Sequence, residues 1–92
     1  MVIIEKVLYD LESEKQGTLT ITYNELVSVL GFKDNYTFYD DLDKVEYSWT
    51  FIDNNNNQYA IWKYYKRKSY SVYGNKDELN RLFKNQITWN KF

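Results

Sequence analysis

The chain has 92 residues, with 12 Lys and Arg against 13 Asp and Glu, a formal net charge of −1, and no cysteine, histidine or proline. That length predicts one domain, and the near-neutral balance predicts no global attraction to nucleic acid or membrane. Disulfides, thiolate zinc sites and cysteine nucleophiles are excluded, and without histidine the usual neutral-pH acid–base and the commonest transition-metal ligand are excluded too.

Ile4, Val7, Leu8 and Leu11 fall at the i, i+3, i+4, i+7 spacing of an amphipathic helix, which predicts a first helix over residues 2–14. Gly17 closes that region, and Thr18 to Ile21 reads as a short extended piece rich in β-branched residues. Thr22-x-x-Glu25 is a capping box, with Ile21 and Leu26 placed as a hydrophobic staple. The helix it opens runs through Leu26, Val27 and Leu30 and stops at Gly31. Residues 32–44 carry Asp34, Asp40, Asp41 and Asp43 among four aromatic rings and read as a loop with one irregular strand or turn.

From Val45 the period changes to two, with Val45, Tyr47, Trp49 and Phe51 alternating with Glu46, Ser48 and Thr50. Asp53 to Asn57 is a turn, because Asn and Asp tolerate left-handed backbone and bond to their own main chain. Gln58 to Tyr65 and Ser69 to Tyr73 follow as strands, joined at Lys66-Arg67-Lys68. Asn75-x-x-Glu78 opens a third helix through Leu79, Leu82 and Phe83. Gln86 to Phe92 reads as a tail able to pair as an edge strand.

Two registers are open to the first hairpin. Pairing Ile52 with Gln58 sets Phe51 against Tyr59 and Trp49 against Ile61, with Trp62 and Tyr64 on the outer face. A slip of one residue turns Trp62 and Tyr64 inward and pairs Glu46 with Lys63. The first is preferred because it gathers Trp49, Phe51, Tyr59 and Ile61 into one core.

Ten tyrosines, five phenylalanines and three tryptophans exceed what three strands need for a core. Half-buried β surface uses such rings, and so do interfaces, where an apolar ring carries a polar tip. The stretch Trp62 to Tyr73 interleaves Lys63, Lys66, Arg67 and Lys68 with Trp62, Tyr64, Tyr65, Tyr70 and Tyr73. Single-stranded nucleic-acid sites combine cations that track phosphates with rings that stack on bases. The same composition suits a protein interface with Trp62 or Tyr64 as anchor and Arg67 at the rim, and also an ordinary hairpin with a charged turn. Trp62, Lys63, Tyr64, Lys66, Arg67, Lys68 and Tyr70 are therefore the candidate partner-binding residues.

Asp40, Asp41 and Asp43 form a candidate acidic contact loop. They do not make a calcium loop, since the sixth position from Asp40 is Val45 rather than glycine and the twelfth is Phe51 rather than glutamate. Ser48, Ser69 and Ser71 have no histidine to activate them, and no phosphate-cradling glycine loop exists among three glycines. No catalytic role, metal or cofactor is expected. No apolar run reaches the ~20 residues of a membrane span, and the start lacks the pattern of a signal peptide, so a cytoplasmic protein is expected.

Glu46-Tyr47-Ser48-Trp49-Thr50-Phe51, Asp53, Tyr59-Ala60-Ile61-Trp62-Lys63-Tyr64 and Ser71-Val72-Tyr73-Gly74 together resemble a pattern in small accessory proteins of tailed phages. There a Trp-bearing strand, a tight turn, an Ile-aromatic strand and a Gly-ended strand lead into a final helix. This chain departs from it in its asparagine-only turn and in a single Gly74 where a pair is expected. The resemblance covers about half the chain and implies a context: a phage-type inhibitor or modulator that occupies a host nucleic-acid-processing or defence complex in the host cytoplasm.

The expected fold class is α+β, in the order α-α-β-β-β-α, with a three-stranded antiparallel meander covered on one face by helices. A winged-helix domain shares part of this order, but the helix at 23–30 exposes Asn24, Glu25 and Ser28, with no cation for phosphate. The expected function is non-catalytic binding of a host protein or nucleoprotein complex, with direct single-stranded nucleic-acid binding as the alternative.

Overall fold

The computed structural model describes residues 1–9, 11, 14–35 and 44–91. Its elements are β1 (Ile3–Glu5), β2 (Gly17–Leu19), α1 (Tyr23–Leu30), β3 (Val45–Asp53), β4 (Gln58–Tyr64), β5 (Tyr70–Tyr73), α2 (Lys76–Leu82) and β6 (Ile87–Trp89). All strands join one antiparallel sheet in the order β1-β3-β4-β5-β2-β6.

This overturns the expected α-α-β-β-β-α order and its three-stranded meander. The helix expected over 2–14 is absent among the described residues of that segment, and β1 pairs Ile3 with Asp53 and Glu5 with Phe51 instead. Val2, Ile3 and Ile4 are β-branched or flanked by β-branched residues, stiff at χ1, and suit a pleated edge better than a helix. The edge of β3 also leaves main-chain groups unpaired unless a strand covers them. The apolar spacing is real but serves a different purpose. Leu8 is buried, and its N–H donates to the Thr50 hydroxyl at 3.1 Å while that hydroxyl donates to the Lys6 carbonyl at 2.8 Å. The segment after β1 thus lies against the outer face of β3.

Both capped helices form as their sequences predict. The Thr22 hydroxyl oxygen accepts from the Glu25 N–H at 3.2 Å, and Asn75 Oδ1 accepts from the Glu78 N–H at 3.1 Å. The Glu25 carboxylate accepts from the Thr22 hydroxyl at 2.9 Å. Gly31 ends α1 in left-handed conformation, at φ 89.

The preferred hairpin register is the one observed, with Ile52 opposite Gln58, Phe51 opposite Tyr59 and Trp49 opposite Ile61. Alternation then divides the sheet into two faces. Trp49, Phe51, Tyr59, Ile61, Tyr70, Val72, Leu19 and Ile87 meet Leu26 and Leu30 of α1 and Leu79 and Phe83 near α2 in the main core. A β-bulge between Val45 and Tyr47 breaks the pattern, setting Val45 opposite Tyr64. The extra residue turns Val45 to the opposite face, where it joins Ala60 and Trp62 in a second cluster packed by Leu11, Tyr64 and Tyr73.

Where β1 ends, Asn35 continues the edge of β3. Its N–H donates to the Ser48 carbonyl at 3.0 Å. Its side chain accepts from the Thr50 N–H and donates to the Thr50 carbonyl, both at 2.9 Å, as a neighbouring strand would.

Candidate functional site

The β4–β5 hairpin tip carries the most concentrated charge of the described chain. Arg67 N–H closes the turn onto the Tyr64 carbonyl at 3.0 Å, and Tyr65, Lys66, Arg67 and Lys68 are all exposed. The Tyr65 N–H donates to the Lys44 carbonyl at 2.8 Å, which fixes Lys44, also exposed, beside the tip. Among the described residues, none of Lys44, Lys66, Arg67 and Lys68 forms an ion pair. Four cations and the ring of Tyr65, 58% exposed, therefore share one end of the sheet.

Several expected site residues lie elsewhere. Trp62 is on the outer face as the register requires, yet it is only 6% exposed, covered within the second cluster. It cannot serve as an exposed anchor. Tyr64 is half-buried against the same cluster. Tyr70 is 3% exposed, with its ring 5.8 Å from Trp49, and burial foremost pushes its phenol up to about 12. It is a core residue. Lys63 is half-buried on the helix side, with Nζ 3.1 Å from Glu46 Oε1 and 5.9 Å from the Tyr47 ring centroid. The bulge brings Glu46 to Lys63 within the preferred register, so one contact expected of the alternative register forms as well. Asp40, Asp41 and Asp43 lie outside the described residues.

The aromatic surplus is largely consumed by packing. Tyr23 and Tyr47 have centroids 4.6 Å apart, Tyr23 and Trp49 5.6 Å, and the cross-strand pair Phe51 and Tyr59 stacks at 5.0 Å and 6°. The Tyr23 hydroxyl donates to Asp34 at 2.7 Å, and that bond, with burial, pushes its phenol up to about 12.

Asp53 is the buried carboxylate of the described chain and is committed to its own turn. It accepts from the N–H groups of Asn55 at 2.8 Å and Asn57 at 3.0 Å, from Asn57 Nδ2 at 2.9 Å and from the Tyr59 hydroxyl at 2.6 Å. Burial alone would raise its carboxyl, but the hydrogen bonds from Tyr59, Asn57 and Asn55 outweigh it and pull the group down to about 2. A carboxylate with its lone pairs so occupied holds a turn and is a poor proton acceptor. No group of three or more Asp or Glu among the described residues could hold a metal ion.

A polar cleft of about 370 Å³ lies beside Gly74, lined by Gln16, Asn56, Asn57, Gln58, Tyr73 and Asn75. Its amides largely serve the fold: Gln16 Oε1 accepts from the Gly74 N–H at 3.0 Å, Asn75 caps α2 and Asn57 binds Asp53.

Sequence reasoning missed Lys44 and passed over Tyr65 when naming the site. Tyr65 was expected inside the strand Gln58 to Tyr65, whereas β4 ends at Tyr64 and leaves Tyr65 in the turn. Lys44 left no signal, because its neighbour is set by the bulge. No helix among the described residues is long and apolar enough to cross a membrane. No protein-family model matches the chain, and no curated protein or solved structure is significantly similar to it.

Proposed function

We propose that this chain is a non-catalytic binding module that docks an acidic surface of a protein or nucleoprotein partner through Tyr65, Lys66, Arg67, Lys68 and Lys44. The observation that carries the reading is the hairpin tip itself. It holds four exposed cations without ion pairs among the described residues, beside one exposed ring, on a turn anchored in a six-stranded sheet. Rings with a polar tip and arginine are favoured at binding hot spots, and surrounding lysines add steering and on-rate more than affinity. The resemblance of the β3–β5 region to phage accessory proteins supports a host nucleic-acid-processing or defence complex as the partner class, met in the cytoplasm. Inhibition by occupancy needs no chemistry of its own.

Direct binding of single-stranded nucleic acid is the second reading, favoured by the same four cations. It is weakened because Trp62 and Tyr70, two of the rings it would stack on bases, are buried. The test is capture from nuclease-treated host lysate by the parent, by Tyr65→Ala and by a Lys66→Ser, Arg67→Ser, Lys68→Ser triple variant. The reading expects a protein retained by the parent after nuclease and lost by the triple variant. Capture that survives in both variants would place the interface elsewhere. Capture abolished by nuclease, with oligonucleotide binding that weakens steeply as salt rises, would favour the second reading.

A further inference from the structure

Strand β6 ends the sheet, and among the described residues its only strand neighbour is β2, through Gly17 opposite Trp89, Thr18 opposite Thr88 and Leu19 opposite Ile87. The Asn90 N–H donates to the Gln16 carbonyl at 2.8 Å, so Asn90 faces β2. By the alternation of an antiparallel ladder Thr88 faces β2 as well, and the N–H and C=O groups of Ile87 and Trp89 point away from the sheet. Such a row is a template for another strand unless a device blocks it. No proline or bulge interrupts β6.

An apolar groove of about 300 Å³ opens where the chain enters β6, between α1 and the end of α2. Ile21, Val29, Leu82 and Phe83 supply its apolar wall, with Glu25 and Ser28 on the α1 side and Lys84 and Gln86 on the β6 side. The turn that forms this wall is held by Asn85 N–H to the Asn80 carbonyl at 2.9 Å and Gln86 N–H to the Phe83 carbonyl at 3.0 Å. Lys84 and Asn85 keep positive φ there, at 51 and 62. The groove is therefore a fixed feature of the turn.

Charge selects the occupant. Residues 84–91 contain Lys84 and Lys91 at the two ends and no acidic residue. Lys76 adds a third cation, 5.6 Å from the Trp89 ring centroid. An antiparallel second copy centred on Thr88 would bring Lys84 and Lys91 of the two chains to the same ends and repel itself. A strand with acidic ends meets a cation at each end instead, and the one acidic residue lining the groove, Glu25, accepts from the Thr22 hydroxyl at 2.9 Å. The opposite edge, β1, carries Glu5 within the strand, and neither the groove nor the cleft beside Gly74 borders it.

We propose that β6 accepts an extended, acidic-flanked segment of a partner protein as a seventh strand, seating one apolar side chain in the groove beside Val29 and Leu82. Main-chain hydrogen bonds to Ile87 and Trp89 supply affinity, and the groove and lysines supply selectivity, as in strand-addition recognition generally. The proposal does not depend on the hairpin tip, because β6 and the tip are separated by β2 and carry different residues.

The probe is a synthetic peptide, acetylated and amidated, with a Val-Thr-Leu-Thr-Val core and two glutamates at each end. It is titrated into the full ¹⁵N-labelled chain. Amide hydrogen exchange should slow by about tenfold or more at Ile87 and Trp89, with no change across Ile3–Glu5. Replacing the peptide's glutamates by lysines, or using a Lys84→Glu, Lys91→Glu variant, should weaken binding by roughly tenfold. Both lysines are exposed, so the variant keeps its core. N-methylation of the peptide's leucine and of both valines, the alternate residues whose amides face the edge in one register, should lower affinity more than N-methylation of the threonines. Unchanged exchange at Ile87 and Trp89 would overturn the proposal. So would equal protection of β1, indifference to charge, or protection that arises from self-association without peptide.

Discussion

Changing Tyr59 to Phe keeps the ring that stacks on Phe51 at 5.0 Å and removes only the hydroxyl that donates to Asp53 at 2.6 Å. Asp53 is 2% exposed, so water is poorly placed to replace the lost donor. A short hydrogen bond to a charged group contributes about 1.5–3 kcal/mol, and Tyr59→Phe should lose an amount in that range at pH 7. The pH dependence provides an internal control. Asp53 titrates at about 2 in the folded chain against 3.8 for the free group, so its contribution is fully present above about pH 4 and is lost as pH falls through about 2. Burial and the adjoining carboxylate hold the Tyr59 phenol well above its usual range, so it donates throughout. Without that donor the Asp53 carboxyl rises toward its free value, and the stability lost on acidification shrinks. Urea unfolding followed by tryptophan fluorescence should therefore show a large gap between parent and variant at pH 7 and a smaller gap near pH 2.5. Equal midpoints at pH 7 would refute the strength assigned to the bond. A gap of the same size at both pH values would refute its link to the Asp53 charge.

Gly74 has φ 143, and a Cβ there would stand 2.2 Å from Tyr59 Cδ1, on a ring fixed by Phe51 and Asp53. Gly74→Ala should cost about 3–5 kcal/mol, from backbone strain and overpacking together, and lower the thermal midpoint sharply; a midpoint within two degrees of the parent would contradict this geometry. Trp62→Ala should destabilise the fold by about 3–5 kcal/mol by opening a cavity under Leu11, Tyr64 and Tyr73. A variant as stable as the parent in urea, but impaired in partner capture, would return Trp62 to the interface.

Local signals settled what local forces decide. Thr22 with Glu25 and Asn75 with Glu78 satisfy orphan N–H groups within one turn, so both helix starts were legible from spacing alone. Asp53 to Asn57 encoded its turn for the same reason, through side chains bonding their own backbone. Even the hairpin register was readable, because one slip would have left Trp49 and Phe51 facing the helices while turning Tyr59 and Ile61 away from them. The tail at 86–92 announced an edge strand, and β6 occupies one.

Tertiary structure decided the remainder, where the energy comes from residues distant in sequence. Ile4, Val7, Leu8 and Leu11 satisfy helical spacing, yet the open edge of β3 and the Thr50 hydroxyl offer that segment partners 42 residues and more away. Periodicity carries no record of such partners. The bulge at Glu46 was equally silent in the alternation, and it alone moved Val45 to the second cluster and placed Lys63 on Glu46. For the site, charge was legible and exposure was not. The cations at 66–68 had to be on a turn, but whether Trp62 and Tyr70 faced water depended on Leu11 and Trp49 arriving to cover them. Burial is a property of what lies opposite a side chain, and only the assembled sheet supplies that.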